Sequence, residues 1–272
     1  MNQPKKLPSD KPFFYGLGSL MCLYVLLIIC LVLANFSVVS WGDMAKVLGD
    51  ADVQASIRLT FISCSMTAIL AVLVAVPSGY LLSRFRFRGR GVIDSILDIP
   101  IVLPPLVVGL SLLILFNKIN WGGVSLENWL HARGLSVTFS VFAVVLAQFA
   151  VATAFAVRMV KNTFDQIDHR CEDVALTLGC NRSAAFWRVA LPQAGQGIVA
   201  AGVLAWARAL GEFGPILVFA GATRGRTEVL ATSVFLEINI GNLSGAAAIS
   251  LLMIALAMSL IAAIRYLTGG RI

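Results

Sequence analysis

Long apolar stretches separated by short polar ones dominate the chain. Six of them reach the roughly 20 residues that an α-helix needs to cross the hydrocarbon core of a bilayer: Phe13–Phe36, Ile57–Ser83, Val92–Asn117, Val137–Val160, Gln193–Gly221 and Ser244–Leu267. The pattern predicts an all-α integral membrane protein, six transmembrane helices forming a single domain over residues 1–272. The first run follows a basic start and superficially suits a signal peptide. It has the length of a full span and no small-residue cleavage site at its end, so it is predicted to remain as a membrane helix. Between the fourth and fifth runs, residues 161–192 form a more polar segment. There Val174, Leu178, Ala185, Phe186 and Val189 fall into two short amphipathic patches, broken where Gly179 can supply a left-handed turn. Two short helices presenting a knob are predicted, with Pro192 stopping the second and starting the fifth span.

Within the spans, prolines and charges mark two unusual places. Pro100, Pro104 and Pro105 lie within six residues of the third run and are followed by Gly109. Proline removes a backbone donor and clashes with the carbonyl four residues back, so this helix must break or bend near its middle. Freed carbonyls in lipid are tolerated only where protein or a water-filled cavity covers them, which predicts that the third span faces the bundle interior. A packing kink and an element of a solute pathway are both open readings. The second place is the fifth run, where Arg208 and Glu212 stand in WARALGEFGPI with Gly211, Gly214 and Pro215 around them. Ionisable groups inside a membrane cost several kcal/mol, so they are normally paired and mark pathways. Spacing of four places both on one helix face, as a structural pair or as part of a gate. Gln148 and Thr153 in the fourth run are read as interhelical hydrogen-bonding groups. The small residues Ser244 to Ala248 of the last run allow close helix approach.

Composition supports the membrane reading: 58% of the residues are hydrophobic and only 13% are charged, against about 25% in ordinary globular domains. Mean hydropathy is +0.87. The net charge of +7 does not indicate nucleic-acid binding, because the cations sit in short loops between spans and not in a groove with stacking aromatics. Even RFRFRGRG at Arg84 to Gly91 is read as a stop-transfer patch touching anionic headgroups. Fourteen cations, among them Lys5, Lys6, Arg84, Arg158, Arg182, Arg188 and Arg271, flank one side of the six spans, and six flank the other. Cytoplasmic loops accumulate Lys and Arg, so both termini and residues 161–192 are predicted to be cytoplasmic. On the other side, Arg224 and Arg226 are placed to attract an anion or a protein partner, or simply to be solvated. Cys22, Cys30, Cys64, Cys171 and Cys180 show no metal-ligand spacing to His131 or His169, so no metal site is expected and the thiols are read as reduced. No phosphate-cradling Gly-x-x-x-x-Gly-Lys-Ser/Thr loop is present. Any ATP chemistry therefore belongs to another polypeptide, and this chain is read as a transport subunit without a cofactor or catalytic residues of its own.

One stretch carries a family resemblance. Asp173-Val174-Ala175, three residues, Gly179, nine residues, Val189, one residue and Leu191-Pro192 resembles the loop by which permease subunits of ABC importers dock their ATPase. That loop is usually written Glu-Ala-Ala, three residues, Gly, nine residues, Ile, one residue, Leu-Pro. Asp173, Val174 and Val189 depart from the usual residue types; the spacing does not. Further on, LPPLVVG at Leu103–Gly109, ARALGEFGPILVFAG at Ala207–Gly221 and GRTEVLATSVFLEINIGN at Gly225–Asn242 look like the permeases of the molybdate, tungstate and sulfate importer group. Val229 stands where molybdate-type relatives have the second Thr of Gly-x-Thr-x-Thr-Leu, which leaves the tetrahedral oxyanions as the implied class. The resemblance implies a type I importer permease that acts as a homodimer in the cytoplasmic membrane of a bacterium or archaeon. It also implies two copies of an ABC ATPase carrying ATP and Mg, and an external solute-binding protein. On this resemblance, Asp173, Val174, Ala175, Gly179, Val189, Leu191 and Pro192 couple to the ATPase, and Pro104, Pro105, Arg208, Glu212, Phe213 and Gly214 belong to the pathway or gate. A permease of an ABC importer for another small solute, and a self-contained secondary transporter using Arg208 and Glu212 with Pro104-Pro105 and Gly214-Pro215 as broken helices, are the alternative readings.

Overall fold

A computed structural model of the chain describes residues 11–121 and 124–267. Lys5, Lys6, Gly122, Gly123 and Arg271 lie outside the described residues. The long helices are α1 (Lys11–Val38), α3 (Ala51–Arg84), α7 (Val141–Gln166), α10 (Leu191–Leu210) and α13 (Leu243–Leu267). Between them run α2 (Trp41–Gly49), α4 (Arg90–Val102), α5 (Pro105–Asn117), α6 (Leu126–His131), α8 (Arg170–Thr177), α9 (Arg182–Ala185), α11 (Gly214–Phe219) and α12 (Leu230–Asn239). Asn120–Trp121 pairs with Val124–Ser125 as a small antiparallel ribbon before α6. Ser40 and Asp43 cap α2 reciprocally, and Asp50 caps α3 through the Asp52 amide.

Five helices are long and apolar enough to cross a membrane, and α4 with α5, bent by 112° at their break, brings the number to six where the pair counts as one span. The bend falls at Leu103-Pro104, as the proline cluster requires, because Pro104 and Pro105 cannot donate into the helical ladder. The placement of this span differs from expectation. Among its residues only Val108, Gly109 and Phe116 are buried, α4 contributes none, and Pro104 and Pro105 are exposed on the isolated protomer. The sharp bend splits the span between two neighbours: α4 lies along α7, held by Asp94 and Asp98 pairing with Arg158 and Lys161, while α5 packs on α11. A second break appears where sequence periodicity predicts one continuous span: α10 ends at Leu210 and α11 restarts at Gly214. Pro215 at the start of α11 has no amide hydrogen, and Gly211 and Gly214 are weak helix formers.

The core sits where α3, α7 and α10 meet. Ala71 and Ala75 of α3, Ala152 and Ala156 of α7, and Ala194, Ala201 and Ala205 of α10 are buried there. Small side chains let apolar helices approach closely, and dispersion contacts replace the hydrophobic drive that lipid does not supply. Gly79 shows how close: a Cβ on it would stand 2.8 Å from the Lys161 amide nitrogen on α7. A second cluster joins Phe116 of α5, Val144 of α7 and Ile216 and Phe219 of α11. The two broken spans therefore pack on each other at their breaks. A Cβ on Gly109 would lie 2.7 Å from the Pro215 Cα, and one on Gly214 would lie 3.1 Å from the Leu106 nitrogen. In α13, Ala246, Ala247 and Ala248 are buried, in keeping with the close approach read from that small-residue stretch.

Gly109→Ala is expected to wedge these two breaks apart, at an overpacking cost of about 1–3 kcal/mol. Thermal unfolding in detergent micelles would show a lowered midpoint; an unchanged midpoint would mean that the close approach carries no energetic weight.

Candidate functional site

Two regions carry the chemistry. The first is the turn between α7 and α10. Helix α7 ends where Ile167 becomes extended, and the Asp168 side chain accepts from the Arg170 amide at 3.0 Å to open α8. Glu172 and Asp173 fall in the first turn of α8, where carboxylates complement the helix dipole. The helix closes on Gly179, whose φ is +90°, with the Cys180 amide donating to the Ala175 carbonyl at 3.0 Å and the Gly179 amide to Leu176 at 3.0 Å. This is the left-handed helix stop that glycine adopts without strain. Asn181 then caps α9 through the Ala184 amide at 2.8 Å. So two short helices joined at Gly179 do form.

The second of them does not stop at Pro192. Residues Arg182–Leu210 run as one helix of 29 residues, and Phe186–Ala190 form a π-helical turn in which the Leu191 amide reaches back to the Phe186 carbonyl. The wider turn carries the helix through Pro192, which lacks the amide that a regular α-helical ladder would use there. Of the predicted coupling residues, Asp173, Val174, Gly179 and Pro192 are exposed, Val189 and Leu191 are half-buried, and Ala175 is buried. Val174 and Leu178 are 57% and 80% exposed, while Ala185 and Phe186 turn inward. The knob thus offers an apolar outer surface on a packed inner one.

What holds the knob was not read from the sequence. The Glu172 carboxylate accepts from the Arg84 Nε at 2.7 Å and from the Tyr80 hydroxyl at 2.6 Å. The same Arg84 guanidinium donates to the carbonyls of Phe164 at 2.8 Å and Ile167 at 3.1 Å. Only 4% of the Arg84 side chain is exposed. Arg84 therefore does not belong to a headgroup-facing patch with Arg86 and Arg88: it staples the end of α3 to the end of α7 and the start of α8. Tyr80 is itself walled by Phe164 and Phe186, with ring centroids 5.3 and 4.6 Å away. Nearby, Asp94 and Asp98 of α4 pair with Arg158 and Lys161 of α7. Arg84 and Glu172 are far apart in sequence, and only the folded helices bring them together.

The second region is the break after α10. Arg208 Nη1 lies 2.7 Å from Glu212 Oε1, and Glu212 is 1% exposed. The pair forms as the spacing implies, although Glu212 stands beyond the helix end, and the contact is a close charge pair without hydrogen-bond alignment. Arg208 also sits 5.4 Å from the Phe155 ring centroid. Gln148, 1% exposed, ties three helices here: its amide donates to the Ala209 carbonyl at 3.2 Å, and its carbonyl accepts from the Thr67 hydroxyl at 3.1 Å. The interhelical role read for Gln148 is thus present, whereas the Thr153 hydroxyl has no partner among the described residues. Pro105 and Gly214 meet at this break, and Phe213 packs on Phe235 at 5.0 Å. Toward the α3 start, Thr60 accepts from the Leu230 amide at 2.9 Å, which docks α12 on α3. Arg224 pairs with Glu237 at 2.9 Å, and Arg226 and His131 are exposed.

Comparison with known proteins gives these regions a context. Residues 69–270 match the family described as binding-protein-dependent transport system inner membrane component. The chain belongs to that family, whose members are permease subunits of ABC transporters and not their enzymes. It is 37% identical to the molybdenum transport system permease protein ModB of Escherichia coli, over 70% of this chain and 83% of that one. It is 30% identical to the molybdate/tungstate transport system permease protein WtpB of Thermococcus kodakarensis, over 95% and 96%. It is 29% identical to the sulfate transport system permease protein CysT of E. coli, over 91% and 88%. A solved chain of a bacterial alginate ABC transporter, in complex with alginate pentasaccharide-bound periplasmic protein, shares the fold with a TM-score of 0.73 at 15% identity, covering 96% of each chain. The fold is that of a type I importer permease.

Two outcomes follow from this geometry. Arg84→Ala leaves Glu172 buried without its partner and is expected to cost about 3–5 kcal/mol, whereas Arg86→Ala, on an exposed residue, leaves thermal unfolding in detergent nearly unchanged. Equal melting of the two variants would remove the staple. Gln148→Leu removes the hydrogen bonds to the Ala209 carbonyl and from the Thr67 hydroxyl, leaving that carbonyl to the Glu212 amide. At about 0.5–1.5 kcal/mol for each bond lost, the same melts should show a lowered midpoint, and a wild-type midpoint would show that the break holds without it.

Proposed function

We propose that this chain is the membrane-spanning subunit of an ATP-driven importer, and that it forms the translocation pathway for a tetrahedral oxyanion, molybdate, tungstate or sulfate. An external binding protein delivers the anion, two copies of a separate ABC ATPase supply the work, and two copies of this chain enclose the path. The observation that carries the reading is the knob at Asp173–Pro192. It presents exposed Val174 and Leu178 around a left-handed Gly179, and a buried ion pair to α3 backs it. Such an element transmits force only if something outside the chain pushes on it. The excess of cations on this side of the spans supports a cytoplasmic knob and cytoplasmic termini. The names of the relatives support the oxyanion class.

On this reading, Pro104, Pro105, Phe213 and Gly214 form the gate with the Arg208–Glu212 pair. Pro104 and Pro105, exposed on the single protomer, would face the second copy across the path, where irregular backbone in a membrane has to be covered. Arg208 keeps 29% of its side chain exposed while paired, so it can offer charge to a passing anion without leaving Glu212 unneutralised.

Reconstitution of the chain with its ATPase and binding protein in proteoliposomes is expected to give ATP-dependent uptake of sulfate or molybdate. The chain alone should give neither uptake nor hydrolysis, and uptake by the chain alone would overturn the importer reading. Gly179→Val forces a β-branched residue into left-handed backbone at about 1–2 kcal/mol. It is expected to reduce uptake per ATP hydrolysed by about tenfold, while Gly179→Asn, which tolerates that backbone, retains most of it. Equal coupling in both variants would show that the turn does not transmit the motor's stroke.

A further inference from the structure

Where the apolar sequence of α3 gives way to charge, a groove of about 340 Å³ opens between α3 and the start of the Arg182–Leu210 helix. Pro77, Tyr80, Leu81, Phe85 and Phe186 line it, together with Arg182 and Ser183. The Arg182 guanidinium carbon lies 5.5 Å from the centroid of the Phe85 ring. The cations of this region fall into two sets. Arg84, Arg158 and Lys161 are each paired with a carboxylate. Arg182, Arg86 and Arg88 are exposed and have no carboxylate partner among the described residues.

An apolar slot with the unneutralised Arg182 guanidinium in its wall, next to the exposed Arg86 that follows Phe85 in the chain, matches one occupant of the surroundings. We propose that this groove binds an anionic phospholipid, with an acyl chain against Pro77, Leu81 and Phe85 and its phosphate on Arg182, assisted by Arg86 and Arg88. Guanidinium pairs with phosphate through charge-assisted hydrogen bonds, and basic pockets at the ends of membrane helices hold anionic headgroups. The slot continues onto the exposed apolar face of α3, where Leu73, Val74 and Leu81 are uncovered, so a chain lying in it meets hydrocarbon along its length. A carboxylate from a protein partner would instead have to be dehydrated against that wall. Trp187, 63% exposed and stacked at 5.2 Å on Phe186, and the exposed Phe87 are aromatic residues of the type that settles at headgroup depth. The lipid would brace the same helix ends that Arg84 staples. The inference rests on the chain lying in a bilayer and not on the solute it carries, nor on which side the groove faces.

Trp187 supplies a reporter. The full chain is placed in nanodiscs, open to solvent on both faces, made of phosphatidylcholine doped with equal fractions of brominated phosphatidylglycerol or brominated phosphatidylcholine. The fluorescence that disappears in Trp187→Phe is followed. Brominated phosphatidylglycerol is expected to quench this component more strongly, and unlabelled phosphatidylglycerol, but not phosphatidylcholine, to reverse the quenching. Arg182→Gln is expected to weaken the preference by about fivefold, and Arg86→Gln with Arg88→Gln to weaken it further, from the worth of one cation near an anionic surface. The reversal by unlabelled lipid is read on the wild-type chain, so it stands even if a variant fails to fold. Equal quenching by the two lipids would overturn the proposal. So would the absence of quenching by either, and Trp187 shielded only once the ATPase is added would assign the groove to a protein partner.

Discussion

A backbone amide or carbonyl left without a partner in hydrocarbon costs several kcal/mol, and this chain interrupts two of its spans in the midst of apolar sequence. The architecture answers that constraint by placing the two interruptions against each other. Gly109 receives the backbone of Pro215, Gly214 receives that of Leu106, and Gln148 reaches from α7 to the Ala209 carbonyl at the frayed end of α10. The two close approaches exclude lipid from the breaks, and Gln148 adds a second hydrogen bond to a carbonyl that the Glu212 amide also reaches. Solute pathways in membranes need irregular backbone, and a protein can keep it only where such mutual cover exists.

The same bundle carries a connection from one end to the other. Helix α3 has 34 residues, about 50 Å at the rise of an α-helix. Near its start it holds α12 through Thr60 and Leu230, and at its end it holds the knob through Arg84 and Glu172. Both attachments are buried. Between them, α3 packs on α7 and α10 through alanine and Gly79, contacts that allow close approach but little independent tilt, because densely packed interfaces transmit displacement and resist deformation. The knob is thus tied to α3 and to the α7 end through Arg84, and it continues directly into α10.

The charges divide by partner rather than by loop. Arg84, Arg158, Lys161 and Arg224 neutralise carboxylates from other elements, and so knit helices together. Arg86, Arg88 and Arg182 stay exposed and face whatever surrounds the protein. A count of cations treats both sets alike, which is why it serves orientation and cannot identify the staple within RFRFRGRG.

Read alone, the sequence determined the elements whose physics is local. Apolar length produced the spans, three prolines in six residues the bend at Leu103-Pro104, and Gly179 the left-handed turn between two short helices. The family was legible in the spacing from Asp173 to Pro192. Tertiary structure decided what depends on distant neighbours: the seating of the α10–α11 break against Gly109 and Leu106, the pairing of Asp94 and Asp98 with Arg158 and Lys161, and the pairing of Arg84 with Glu172. Hydrophobic periodicity reports whether a residue faces lipid or protein. It does not report which distant residue will be there, because that is set by how whole helices pack, through small side chains whose only sequence signature is that they are small.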